Sequence, residues 1–426
     1  MKIVMGLTEI AGYYSNLKKG FRRIAVDCAF FDIEKEHPFE YHGDDSLLLT
    51  KWLARVRERL DRTHRDHRIR RRFWKRLRGM IRILLFFRLC LEYDVFIFCY
   101  LSTYCRYKEL RILKALGKKI IYVFHGSDVR PPYINGALFA TRSVGDMNDC
   151  VKLTRARKRI IKTIETYADV IVSSPTTGHL QERPFVNWFC IGIPYDHEAV
   201  GPEIRTARPG AGVRILHAPS LPEAKGTGII REAVEAVKSK GHSIEYIEVV
   251  GKTNAEVLDE LSRCDFVVDQ LYSDTPMAGF ATEAAFFGKP AVVGSYYIEE
   301  IHRDIPGEMI APSLFCHPDR IEEAVEKMVV DEVYRVDLGN RAKEFVQKHW
   351  AAERVAERYM KLIQNDIPQE WFCEPKKIRY LNGVGFPENR VKELIGSIVD
   401  AHGKEALQVA DKPDLESALL DFACSR

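Results

Sequence analysis

No two of the ten cysteines form a C-x-x-C pair. Their scatter, from Cys28, Cys90 and Cys105 to Cys190 and Cys373, fits reduced thiols in a cytosol better than a disulfide framework or a zinc site. The chain also lacks a long apolar run. Its most apolar stretches, Ile83–Phe87 and Val95–Leu101, fall far short of the ~20 residues that span a bilayer. Met1–Leu7 carries one lysine and a short apolar run, so it reads as a first strand and not as a secretory signal. A convincing D-x-D metal motif is missing too. Asp265 and Asp269 lie four apart on one strand and bracket the apolar Phe266–Val268, a poor cation clamp. Low-complexity segments and internal repeats are likewise absent. These absences exclude a membrane-spanning chain, a zinc module and a disulfide-stapled domain. What remains is a cytoplasmic protein without metal or other cofactor, either soluble or peripheral on the cytoplasmic face of a membrane.

The chain has 426 residues, 46% of them hydrophobic, enough for a sizeable core divided among two or three domains. Strand-like and helix-like runs alternate along most of it. In the first half the strands are Lys2–Leu7, Ala25–Asp32, Asp94–Leu101, Lys119–His125, Asp169–Ser174 and Trp188–Pro194. Several are apolar on both faces, as strands of a covered parallel sheet must be. Helical spacing marks Ser15–Arg23, Tyr107–Leu116 and Val151–Tyr167. The Gly- and Pro-rich stretch 201–212 reads as a linker. A second series follows, with strands Val213–Pro219, Ile244–Gly251, Asp265–Leu271 and Pro290–Ser295. Its helices are Gly226–Lys240, Asn254–Arg263, Phe280–Phe287 and Arg320–Val330, and helical spacing continues through Leu338–Gln364. The pattern predicts an α/β chain of two Rossmann-like domains, 1–200 and 213–365, with a small helical appendix over 366–426. The appendix is open to two roles, a dimer contact or closure against the first half, and the oligomeric state is open with it.

Two segments carry chemistry. In Val213–Thr227 a strand ends at His217–Pro219, a polar loop follows, and Lys225–Gly226–Thr227 opens a helix. Amides and dipole at such a turn favour an anion, to which Lys225 adds a full charge. A surface lysine beside an ordinary helix-start glycine is the plain alternative. In Asp265–Val293, Gly279 precedes a short helix bearing Glu283, and Gly288–Lys289–Pro290 turns into the next strand. Open α/β sheets bind ligands at their strands' C-terminal ends, where a carboxylate can accept two hydrogen bonds from a ribose diol. The same glutamate would also simply complement a helix dipole.

Taken together, His217–Ser220 (HAPS), Lys225–Thr227 (KGT), Cys264–Leu271 (ending DQL) and Glu283–Val292 follow the order and spacing of a known set. Thr8–Gly12 (TEIAG) and His125–Arg130 (HGSDVR) extend it into the first half. The chain resembles, over about residues 1–365, the retaining nucleotide-sugar glycosyltransferases of the GT-B fold, in the bacterial and archaeal branch of family four. The resemblance implies two Rossmann-like domains facing across a cleft. It implies that Lys225 contacts the donor diphosphate with Gly226 beside it, and that Glu283, the second glutamate of an E-x7-E pattern, holds the ribose behind the amides of Gly279. His125 would be the catalytic histidine near the donor sugar, with Asp128 and Arg130 close by. Gly12 would let substrate approach the first loop. Two positions depart from the family: the first glutamate is Thr275, with Asp274 adjacent, and the arginine five residues before the lysine is Ser220.

Net charge is only +4, yet Lys51–Arg88 is strongly basic, with Glu58, Asp61 and Asp66 its only acids. Within it Ile69, Phe73, Leu77, Met80, Leu84 and Phe87 recur at helical spacing, with Arg71, Lys75, Arg78 and Arg82 on the opposite side. The stripe reads either as a membrane-surface helix over 69–88 or as a face packed on the first sheet, its arginines solvated. A nucleic-acid partner would need stacking aromatics and a wider basic field. The expected activity is sugar transfer, retaining and metal-free, from a nucleotide-sugar to a saccharide or lipid-linked saccharide, as in polysaccharide biosynthesis. A fold that has lost activity and serves as a binding or scaffold protein, and a nucleotide-sugar epimerase, are the alternatives.

Overall fold

The computed structural model describes residues 1–33, 47–63, 67–196 and 212–425. The linker expected at 201–212 therefore lies, but for Gly212, outside the described residues. The first lobe runs β1 (Ile3–Leu7), α1 (Tyr13–Arg23), β2 (Cys28–Asp32), α2 (Leu48–Asp61), α3 (Arg68–Glu92), β3 (Val95–Cys99), α4 (Lys108–Ala115) and β4 (Lys119–Val123). It continues through α5 (Gly136–Ala140), α6 (Met147–Tyr167), β5 (Val170–Ser173), β6 (Phe185–Asn187) and α7 (Trp188–Ile191). The strand expected over Trp188–Pro194 is thus β6, a few residues earlier, followed by a helical turn. Asn187 caps that turn by accepting from the amide of Phe189, which ends the strand.

The second lobe runs β7 (Val213–His217), α8 (Pro222–Lys225), α9 (Thr227–Ser239), β8 (Ile244–Glu248), α10 (Asn254–Arg263), β9 (Phe266–Val268), α11 (Gly279–Phe286) and β10 (Ala291–Gly294). Then come α12 (Ile301–Asp304), β11 (Leu314–Cys316), α13 (Ile321–Val330) and α14 (Glu332–His349). Last are α15 (Ala352–Gln364), β12 (Phe372–Cys373), α16 (Glu388–His402) and α17 (Pro413–Cys424).

Two sheets result, ordered β12-β6-β5-β4-β3-β1-β2 and β11-β10-β9-β7-β8. Every pairing is parallel except that of β12 with β6. In β3 all five residues are buried, and their side chains divide between two cores: Phe96 and Phe98 in one, Val95, Ile97 and Cys99 in the other. Such a strand is covered on both faces, which is why it reads as a continuous apolar run. The second sheet has two cores of its own. The molecule is α/β, two Rossmann-like lobes facing across a cleft. Each strand order reverses once, between β1 and β3 and between β7 and β9, and such switch points open crevices at the strands' C-terminal ends.

The chain then returns to where it began. Tyr195 and Ala351 run side by side, with the Tyr195 amide donating to Trp350 at 2.8 Å and the Ala352 amide to Tyr195 at 3.0 Å. Beyond this crossing α15 packs on α1, so closely that a Cβ on Gly20 would lie 2.0 Å from the Ala352 carbonyl oxygen. Residues 352–364, which spacing assigns to the second lobe, therefore complete the core of the first. The appendix behaves likewise. β12 extends the first sheet, and Val391, Leu394, Ile395 and Ile398 of α16 join its other core.

Of the two readings of the basic segment, the structure contradicts the one that packs its apolar stripe on the first sheet. α3 buries Ile81, Leu85, Phe86, Leu89 and Cys90 against the first lobe, with Arg71, Arg78 and Arg82 half-buried on that side. The stripe of Ile69, Phe73, Met80, Leu84 and Phe87 faces outward instead; of the six residues expected on it, only Leu77 packs partly inward. Two apolar faces compete on this helix, and the wider one wins the core.

Because α16 fills the first lobe's core, Ile395→Ala should destabilise the protein by about 2–5 kcal/mol. Val336→Ala, at an exposed site, should stay within about 0.5 kcal/mol. Urea unfolding of both variants checks the contrast.

Candidate active site

The loops after β1, β4 and β5 meet those after β7 and β9 around a cavity of about 360 Å³ between the lobes. The first lobe supplies an apolar wall of Ile10, Tyr13, Phe124, Trp188, Phe189 and Ile193, and a polar strip of His125, Ser127, Ser174, Thr176 and Thr177. The second lobe supplies Ser220, Leu221, Lys225, Gln270, Asp274, Thr275, Ala278 and Gly279, and the appendix adds Val384 and Gly385. Of the residues singled out in the sequence, His125, Lys225, Gly279, Arg130, Asp274, Thr275 and Ser220 line this space. Gly12, Gly226, Asp128 and Glu283 do not.

Lys225 ends the one-turn helix α8, where Gly226 takes a φ of 72° and starts α9. A Cβ at Gly226 would come 2.7 Å from that of Leu271, so a side chain there meets both strain and a clash. The glycine thus packs on the end of β9 and sets Lys225 on the rim. The ammonium donates to Gln270 Oε1 and lies 3.8 Å from Asp269 Oδ1. An ammonium has three donors, so at least one stays available to the cleft. Beside it, α11 begins with no side-chain cap and no acid in its first turn, and Ala278 and Gly279 face the cavity. Its first amides are the orphan donors of a helix start.

Glu283 sits one turn deeper on α11, about 6 Å along the axis. Its carboxylate accepts from Asn254 Nδ2 at 3.0 Å at the start of α10, so it occupies the gap between these helices and not the cavity wall. Burial, and to a lesser degree the charge of Asp269, push its pKa up to about 7. Asp269 is thus the shared neighbour of Lys225 and Glu283. Gly12 also acts through its backbone: with φ of 79° it starts α1, while Ala11 and Tyr13 on either side face the cavity.

His125 follows β4, and its Nε2 is hydrogen-bonded to Tyr14 Oη at 2.7 Å. Burial drives its pKa down to about 3, so the imidazole is neutral at physiological pH. Asp128 holds the turn from beneath by accepting the amides of His125 at 3.0 Å and Gly126 at 2.9 Å, and burial raises it to about 6. It is a turn residue and not a cleft residue. Asp274, the carboxylate nearest the missing first glutamate, is already engaged. Arg130 donates to it from the other lobe, and Thr176 Oγ1 donates at 3.2 Å. Both partners of this ion pair are nearly buried. Arg130 and Asp274 therefore hold one another, while Thr275 presents only a hydroxyl.

Sequence reasoning missed Gln270, although it stands inside the DQL run, and the Ser174–Thr177 strip, visible as a polar loop after a strand. It had no signal for Val384 and Gly385. They reach the cleft because Gly385 donates to the Tyr272 carbonyl of one lobe and Val384 to the Ile134 carbonyl of the other. Among the described residues no group of three or more His, Cys, Asp or Glu side chains is placed to hold a metal.

Breaking the Arg130–Asp274 pair should strand a buried charge. Asp274→Ala should lower unfolding free energy by about 3 kcal/mol, and adding Arg130→Met should restore at least part of it. Denaturant curves of the single and double variants decide this.

No family model and no curated protein matches the chain. Solved structures give distant likenesses. HepE of Anabaena, in complex with UDP and glucose, is 10% identical and covers 86% of this chain and 100% of its own, with a TM-score of 0.46. TarM, solved from S. aureus, is 12% identical over 66% of this chain and 58% of its own, at 0.44. The spinosyn forosaminyltransferase SpnP is 12% identical over 85% and 99%, at 0.43. At this level of likeness the architecture rests on the two sheets themselves, and no family is assigned.

Proposed function

We propose that the cleft binds a nucleoside diphosphate sugar and transfers the sugar, with retention and without a divalent ion, to a saccharide or lipid-linked saccharide. The observation that carries this reading is Lys225 on the cleft rim beside the uncapped, acid-free start of α11. A cation and orphan amides lining one cavity suit a diphosphate. They stabilise it best as it departs with added negative charge, which is the electrostatic core of the transfer. The ribose then extends past Gly279 toward Glu283 and Asn254. The sugar turns toward His125, whose neutral ring positions a hydroxyl by hydrogen bonding and carries no charge. The resemblance of HAPS, KGT and DQL to the motifs of family-four glycosyltransferases supports the same assignment.

One observation favours a second reading, a binding protein without turnover. Thr275 replaces a glutamate, and the adjacent Asp274 is committed to Arg130. The two readings separate cleanly. Both expect nucleoside diphosphates to raise the melting temperature, and only the first expects hydrolysis or transfer from a panel of nucleotide-sugars.

Lys225→Ala should weaken nucleoside diphosphate binding about 10- to 100-fold, the worth of one charge-assisted contact. Isothermal titration showing unchanged affinity would remove Lys225 from the site. Glu283 adds a pH signature. Ionised, the oxygen that Asn254 leaves unengaged accepts from a ribose hydroxyl reaching past Gly279; protonated, the carboxyl loses acceptor capacity. Affinity should therefore rise as pH increases from 6 to 8, through its pKa of about 7. Glu283→Gln should flatten the part of that rise due to the protein, leaving the ligand's own titration, as read by thermal shift at each pH against the unliganded protein.

A further inference from the structure

α3 is 25 residues long and carries nine basic residues, and its only acid is Glu92 at the last position. It also leaves an apolar stripe uncovered. Ile69 is 86% exposed, Phe73 58%, Met80 61%, Leu84 56%, Phe87 51% and Leu91 91%. At 100° per residue these six fall on one line, which runs about 33 Å along the axis. Exposed cations border it, with Arg70 and Arg88 on one flank and Arg72 and Arg76 on the other. Soluble surfaces expose large apolar side chains singly; a continuous row of them marks a docking face. No helix among the described residues is long and apolar enough to cross a membrane, so this one would lie along a surface and not through it.

We propose that the outer face of α3 docks the first lobe in the plane of an anionic lipid bilayer, its apolar row among the acyl chains and its flanking arginines among the headgroups. Charge selects this occupant. A second copy packed through the same face would set one cationic row against another, which costs affinity. A nucleic acid would engage the cations but leave Ile69, Met80, Leu84 and Leu91 without a partner, since it recruits aromatic platforms. Only a surface both anionic and apolar meets both halves of the pattern. The inference goes beyond the proposed transfer reaction and does not depend on it.

Co-sedimentation of the full chain with lipid vesicles tests it. The protein should pellet with phosphatidylcholine vesicles holding about one-third phosphatidylglycerol and stay in solution with phosphatidylcholine alone. Met80→Asp with Leu84→Asp should lower the vesicle partition about tenfold or more, and so should Arg72→Glu with Arg88→Glu, through its charge. Salt at about 0.5 M should weaken binding of the native chain and change little for the arginine variant. All four substitutions are at exposed positions, so an unchanged melting temperature confirms folding, and nucleoside diphosphate affinity should stay as in the native chain. Failure to pellet with anionic vesicles overturns the proposal. So does partition indifferent to both double variants, or a dimer in analytical ultracentrifugation that Met80→Asp with Leu84→Asp dissolves.

Discussion

The carboxylate of Asp274 leaves its own lobe and is held by Arg130 and Thr176 of the other. The cleft geometry depends on that contact. A buried guanidinium and a buried carboxylate tolerate separation poorly, because each would then face a low-dielectric environment alone. The pair therefore sets the spacing between the loops after β4 and β5 and the loop after β9. With that spacing set, His125 and Lys225 look into one cavity from opposite sides.

The cavity's chemistry follows. Among the described residues that line it, the only carboxylate is Asp274, already neutralised by Arg130. The second lobe offers an ammonium and unpaired amides, and the first lobe offers aromatic and aliphatic surface with hydroxyls. Such a division suits a ligand with an anionic centre and a neutral, hydroxyl-rich end. Burial keeps His125 uncharged, so beyond the Arg130–Asp274 pair the positive charge lining the cavity is that of Lys225. The appendix closes the arrangement. Its loop at Val384–Gly385 hydrogen-bonds both lobes and forms part of the wall, so residues far along the chain shape the site.

Much of this was legible residue by residue. β3 read as a covered strand because both of its faces are apolar, and α10 read as a helix over Asn254–Arg263 by its spacing, the bounds the structure gives it. Lys225 read as a residue at a strand-end turn because a strand end, a glycine and a helix start leave a local trace, and the structure places it on the cavity wall. Glu283 read as a cleft residue on the same kind of trace, but the structure sets it between α10 and α11 and off the cavity wall. Whether a helical glutamate faces a cavity or a neighbouring helix depends on where that neighbour, here α10, comes to rest. Asp274 and Arg130 read as candidate ligand contacts because a sequence shows charges and not their partners.

What the sequence determined alone were properties with a short period: alternation of strand and helix, the turns at strand ends, the cluster of cations on α3. Tertiary structure decided what joins distant segments. It returned α15 to the first lobe, spent α16 on that lobe's core, bound Arg130 to Asp274 across 144 positions, and chose which apolar face of α3 turns inward. The physical reason is that periodicity records how a segment can be buried, whereas burial itself is shared between two surfaces. The second surface is known only when the chain has folded back to supply it.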